Sequence, residues 1–205
     1  MISYTHKCIF VHIPKNAGSV MSTMLYNNLG LSNTWPGWGW SRKWGKYKQH
    51  LTMGENIEYG GIQRDELDLY FKFAFVRNPW DRAMSQFKYR QRLHGKEFCK
   101  SFKEFLLMNW GNGRRHLTIK QHMTPQYDFV YDQAGNLLVD FIGRFENATE
   151  DYNKVCDILN AKREHFEIKR SRKTFYWKYY DDETRQIVAE KYAKDIEYFG
   201  YEFGE

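Results

Sequence analysis

Lys7-Cys8-Ile9-Phe10-Val11-His12-Ile13-Pro14-Lys15-Asn16-Ala17-Gly18-Ser19 decides how the chain reads. The β-branched Ile9, Val11 and Ile13, with Phe10 between them, predict a short buried strand over residues 7–13. Pro14 to Gly18 break it, and from Ser19 the chain can enter a helix to about Leu29, with Val20 and Met24 facing inward and Gly30 placed to stop it. The same order recurs downstream. Residues 71–76 (FKFAFV) form a second apolar strand, Arg77-Asn78-Pro79 a turn, and Pro79 with Asp81 suits the first turn of a helix that runs to about Leu93. Residues 139–145 suggest a third strand, followed by a helix near 151–159. Helical spacing of Val188, Tyr192, Ile196 and Phe199 predicts one more helix over 182–199. Strand, turn, helix in repetition argues for an α/β fold, an open parallel sheet flanked by helices.

Working outward, residues 35–59 read as irregular and rich in Trp, Gly and Lys, residues 102–108 as a short helix, and residues 111–126 as a polar, basic loop. The 205 residues suffice for one domain, 1–205, with a single core. Aromatic residues make up 18% of the chain, which excludes a disordered chain, since such chains lack the apolar surface to offset ordering entropy. Lys and Arg total 31 against 25 Asp and Glu, a formal charge of +6 that favours an anionic ligand without naming it. No stretch approaches the roughly 20 apolar residues of a membrane span, and the first residues lack a signal-peptide pattern. Cys8, Cys99 and Cys156 are odd in number and widely spaced, so a disulfide scaffold or a cysteine zinc site is not expected and a reducing, cytoplasmic location is.

In an open parallel sheet, ligands bind beyond the carboxyl ends of strands, where helix N-termini offer unpaired amides. The first turn carries the parts of an anion grip. Ala17 and Gly18 allow close backbone approach, Lys15 is a movable cation, and Ser19 brings a hydroxyl. It is not a Walker A loop, because the lysine precedes the glycine; an ordinary strand-to-helix connection is the alternative. At the second turn Arg77 can fork onto a phosphate, with Ser85, about two helical turns further on, as a second donor. The alternative pairs Arg77 with Asp81 and leaves Ser85 in solvent. Arg82 faces elsewhere and reads as structural.

Taken together, HIPK-x-AG-S and FVRNPWDR followed by a serine resemble the 5′-phosphosulfate and 3′-phosphate motifs of the sulfotransferase superfamily. The form is similar to the carbohydrate branch that includes heparan sulfate 2-O-sulfotransferases and small bacterial or viral relatives. Weaker similarity extends over residues 139–146 and 180–203. Many relatives carry Thr where Asn16 stands, which questions that side-chain contact and leaves the rest of the loop intact. The resemblance implies the sulfotransferase fold, with 3′-phosphoadenosine 5′-phosphosulfate as donor. It implies Pro14, Lys15, Asn16, Ala17, Gly18 and Ser19 around the 5′ end, and Arg77 with Ser85 on the 3′-phosphate. It also implies a hydroxyl acceptor, expected on a saccharide, and a histidine base between the two motifs, an interval in which His50 is the one histidine.

Lys15 would then stabilise the leaving oxygen. Sulfuryl transfer needs positioning and charge stabilisation rather than a metal, and none of the seven histidines forms an HExxH cluster, so no metal is expected. Trp35, Trp38, Trp40 and Trp44, interleaved with Arg42, could stack on sugars; the alternative is a loop pinned into the core by its indoles. Arg114 and Arg115 could form an opposite acceptor wall, or simply a solvated run. Two other functions compete: a nucleotide-dependent phosphotransferase with a degenerate phosphate loop, disfavoured by the missing Walker A pattern, and a nucleic-acid-binding module. The latter is disfavoured because the basic residues sit at two turns and form no continuous stripe.

Overall fold

Ile9 and Val11 point to one side of their strand and Cys8 and Phe10 to the other, and all four are buried, so this strand sits between two layers. The computed structural model describes residues 1–16, 25–30, 39–59, 63–108, 114–164 and 175–205. Its main sheet contains β1 (Ile2–Ser3), β2 (Cys8–Val11), β5 (Phe71–Val76) and β6 (Phe141–Arg144), in the order β1-β2-β5-β6. Between β2 and β5 lies a small separate hairpin, β3 (Trp40–Ser41) with β4 (Lys46–Tyr47). Strands β2, β5 and β6 are parallel, with Phe10 opposite Phe73 and Phe73 opposite Phe141. β1 adds an antiparallel edge that the sequence pattern does not announce.

Helices cover both faces. Phe10, Phe73 and Phe75 pack on a helix at residues 25–29 (α1) and on α7 (Ala148–Ile158), through Leu25, Leu29, Tyr152 and Val155. Ile9, Val11, Ala74 and Val76 face α2 (Met53–Glu58), α6 (Tyr127–Val130) and α9 (Ala193–Phe199). A third cluster joins α3 (Pro79–His94), α4 (Phe102–Leu107), α5 (Arg114–Met123) and α8 (Asp182–Lys191) around Trp80, Phe105, Ile119 and Val188. At Gly143 on β6 any Cβ would collide with the Phe75 ring, so this position is closed to larger residues. Gly30 takes φ +63° where α1 ends.

Three expectations change. Residues 39–59, read as irregular, hold the β3–β4 hairpin, a 3-10 turn at Lys48–His50 and α2, which opens on a capping box between Thr52 and Glu55. The basic run expected as a loop over 111–126 contains α5. Its inward stripe of Thr118, Ile119, His122 and Met123 is half polar, which hid the helical period from an apolar-residue count. The single helix expected over 182–199 is two, α8 and α9, divided at Tyr192, whose hydroxyl donates to the Met123 carbonyl at 3.0 Å.

Candidate active site

Parallel pairing of β2 with β5 delivers the two turns side by side at the carboxyl ends of adjacent strands. The first is held from beneath. Arg82, buried on α3, donates through Nε to the Pro14 carbonyl at 3.1 Å and through one terminal nitrogen to the carbonyls of His122 (3.1 Å) and Thr124 (3.0 Å). Arg77 donates to the Lys15 carbonyl at 2.9 Å. These clamps hold Lys15 at φ +73°, a left-handed backbone that costs a side-chain-bearing residue roughly 1–2 kcal/mol. Truncating Arg82 to alanine strands three carbonyls, and a loss of about 3–5 kcal/mol in unfolding free energy is expected by urea titration. A loss under 1 kcal/mol would mean the clamp is slack.

The Lys15 ammonium lies 4.1 Å from the centre of the Tyr89 ring, a cation–π contact. Burial, reinforced by the charges of Arg77, Arg92, Arg90 and Arg82, lowers its pKa to about 7. Arg90 and Arg92 also lie over Tyr89, at 5.3 and 5.6 Å.

At the second turn the Arg77 side chain already has protein partners on each of its three nitrogens. Its Nε and NH2 meet Asp81 at 2.9 and 2.8 Å, and its guanidinium lies 4.1 Å from the Phe145 ring centre. The pairing with Asp81 that was the alternative for this arginine therefore exists, since Asp81 lies in the first turn of α3, four residues after Arg77. Gln126, 0% exposed, ties the turns together. Its Oε1 accepts from the Arg77 amide (2.9 Å) and from Asn16 Nδ2 (2.6 Å), and its Nε2 donates to the Arg77 carbonyl (2.8 Å). Ser85 is half-buried on α3.

Next to Lys15 stand three imidazoles. The His50 ring centre is 4.6 Å from that of His12 and 5.1 Å from that of His122. His50 Nδ1 lies 2.9 Å from the His12 carbonyl oxygen. A carbonyl only accepts, so Nδ1 carries the proton and Nε2 keeps its lone pair, the form a general base needs. Burial lowers the His50 pKa to about 4, opposed by that hydrogen bond and aided by Arg82 and Lys15. His50 also lines a cavity of about 240 Å³ with Lys46, Glu55, Leu117, Lys120 and Phe129.

Both titrations couple to stability. Unfolded lysine titrates near 10.4 and histidine near 6.5. Between about 4 and 6.5 the unfolded chain binds the His50 proton that the folded chain refuses, and between about 7 and 10.4 it keeps the proton that folded Lys15 releases. Stability therefore rises with pH across both windows. The expected result is a melting temperature that climbs from pH 7 to 9 in the parent chain and less steeply in Lys15→Met. Parallel curves would exclude the lysine term.

Residues 1–202 match the sequence profile of the sulfotransferase family. The chain belongs to the sulfotransferase family. Carbohydrate sulfotransferase 9 of Homo sapiens is 25% identical over 218 aligned positions, covering 93% of this chain and 46% of the human protein, so the chain spans about half the length of that relative. An uncharacterised protein of Archaeoglobus fulgidus is 38% identical over 97 residues, 47% of this chain and 73% of the archaeal one. No solved structure gives a significant match.

Within this sulfotransferase, Pro14, Lys15, Arg77 and His50 come together, while Ala17, Gly18 and Ser19 lie outside the described residues. The Asn16 side chain, whose contact the Thr-to-Asn departure left in question, faces the protein. It is 1% exposed, and Nδ2 donates inward to the Phe75 carbonyl at 2.7 Å and to Gln126, which ties the loop to β5. Arg82 is structural as expected, though it supports the site directly. Trp40 packs edge-on against Tyr47 and Trp44 stacks on Tyr59 at 4.6 Å, both indoles half-buried and outside the core clusters; Trp35 and Trp38 lie outside the described residues. Arg42 is exposed on the turn of that hairpin. Arg114 and Arg115 open α5, and their side chains are outside the described set. Sequence reasoning missed Tyr89, Arg90 and Gln126, and placed His122 only as part of a basic run that could wall the acceptor site. Only the tertiary fold brings them to the turns, and the one local signal was that Tyr89 and Arg90 follow Ser85 by about one helical turn.

Among the described residues, no group of three His, Cys, Asp or Glu is disposed to hold a metal ion. None of their helices is long and apolar enough to cross a membrane. All three cysteines are buried free thiols.

Proposed function

We propose that this sulfotransferase moves a sulfuryl group from 3′-phosphoadenosine 5′-phosphosulfate to a saccharide hydroxyl, in line and without a metal. The observation that carries the reading is the surplus of cations around Lys15. Four guanidinium groups act on it, and an anionic ligand is the natural partner for charge so concentrated. The likeness to a carbohydrate sulfotransferase supports the saccharide acceptor.

On this reading Pro14, Lys15, Asn16, Ala17, Gly18 and Ser19 surround the 5′-phosphosulfate, the backbone amides doing the work the Asn16 side chain does not. Arg77 and Ser85 take the 3′-phosphate, which shares the Arg77 fork with Asp81. His50 Nε2 removes the hydroxyl proton as oxygen attacks sulfur. Lys15 neutralises the charge growing on the phosphate oxygen as the S–O bond breaks. The cavity beside His50, smaller than the roughly 300–1,000 Å³ of drug-sized pockets, suits a single sugar ring with Lys120 and Lys46 at its edge. Buried free thiols suit a reducing, cytoplasmic setting.

Thermal-shift titration is the test. Adenosine 3′,5′-bisphosphate at a hundredfold excess over Kd is expected to stabilise the fold by about 2.7 kcal/mol. AMP, ADP and ATP with Mg²⁺ should do clearly less. Equal or better stabilisation by ATP would replace the sulfotransferase donor with a phosphoryl donor.

A further inference from the structure

His122 stands outside the roles assigned so far, and its surroundings define its protonation as sharply as those of His50. It sits in the last turn of α5, buried, with its ring at 84° to the His50 ring. Its Nδ1 lies 3.3 Å from Arg90 NH2 and 3.4 Å from the Gln86 side-chain amide. Arginine only donates. The Gln86 amide satisfies its neighbours when its oxygen accepts from Arg90 Nε at 2.9 Å and NH2 at 3.2 Å, which turns its nitrogen toward His122. Both neighbours of Nδ1 are then donors, so Nδ1 keeps its lone pair and the ring proton sits on Nε2. Burial, followed by His50, Arg90, Lys15 and Arg82, holds this imidazole neutral.

The two adjacent rings are thus fixed as opposite tautomers. His50 keeps its lone pair on Nε2, whereas His122 carries its proton there, and the two ring centres are 5.1 Å apart. A hydroxyl that loses its proton to one of them can accept a hydrogen bond from the other through a second lone pair, which orients it.

We propose that His122 is the second catalytic histidine, donating Nε2–H to the acceptor oxygen while His50 takes that oxygen's proton. The inference rests on the sulfuryl-transfer reading above. The acceptor O–H proton passes to His50 Nε2, the new O–S bond forms, and the electron pair of the broken S–O bond leaves on the phosphate oxygen beside Lys15. His122 keeps its proton throughout and aims the attacking lone pair.

Two substitutions separate hydrogen-bond donation from packing. His122→Phe keeps a ring of similar shape against His50 and removes the N–H, while His122→Asn restores a side-chain N–H. The expected result is a kcat about 10²–10³-fold lower in His122→Phe, bisphosphate affinity within twofold of the parent chain, and recovery of at least tenfold in His122→Asn. Parent-level kcat in a folded, bisphosphate-binding His122→Phe overturns the proposal and leaves the sulfotransferase reading standing. Equal losses in both variants with unchanged bisphosphate affinity would assign His122 to packing and also overturn it. Failure of the parent chain itself to bind the bisphosphate or transfer a sulfuryl group would strike the underlying reading instead.

Discussion

His50→Ala is expected to bind adenosine 3′,5′-bisphosphate like the parent chain while kcat for transfer falls about 10²–10⁴-fold, the usual contribution of a positioned general base. Physically, His50 contacts the protein through Nδ1 and leaves Nε2 as the proton acceptor. Its low pKa, about 4, keeps that nitrogen unprotonated well below neutrality. The acid limb of kcat/KM should accordingly fall near pH 4 and not near 6.5. Calorimetry for binding and a radiolabel transfer assay for turnover make the comparison. Unchanged turnover with lost binding would remove His50 from the chemistry and make it a brace for the His12 carbonyl.

Lys15→Met should lower kcat about 10²–10³-fold, the scale seen when one electrostatic stabiliser of a transition state is removed. A second signature is a proton. With a pKa of about 7, free Lys15 is mostly neutral at pH 8, and a phosphorylated ligand beside it favours the charged form. Binding the bisphosphate at pH 8 should therefore take up close to one proton in the parent chain and fewer in the variant. Calorimetry in two buffers of different ionisation enthalpy reads this directly. On the same grounds kcat/KM should fall above about pH 7, as free Lys15 loses its charge. Equal proton uptake in the two proteins would mean that Lys15 does not meet the anion.

Much of the frame was legible because it is local. Ile9, Val11 and the FKFAFV run are apolar at strand spacing, Pro79 and Asp81 mark a helix start, and each strand empties into a basic turn. Asn78 adds the cap, its Oδ1 accepting from the Trp80 amide at 3.1 Å. Helix α5 escaped notice for the opposite reason. Its buried positions include Gln121 and His122, whose polarity is satisfied only by distant partners: Gln121 by the Tyr47 and His50 backbone, His122 by α3. A buried polar residue with long-range hydrogen bonds looks, in sequence, like one in solvent.

The site divides along the same line. Sequence alone determined that two strand–turn–helix units carry Lys15 and Arg77, that His50 lies between them, and that the family motif joins them. Tertiary structure decided that Asn16 turns inward, that Arg77 shares its fork with Asp81, that Tyr89 carries the Lys15 ammonium, and that His50 and His122 stand edge to face. Backbone conformation and apolar periodicity act over a few residues and are written in the chain. Tautomers, lowered pKa values and shared hydrogen bonds depend on which distant groups burial brings within about 3 Å, and only the packed fold sets that.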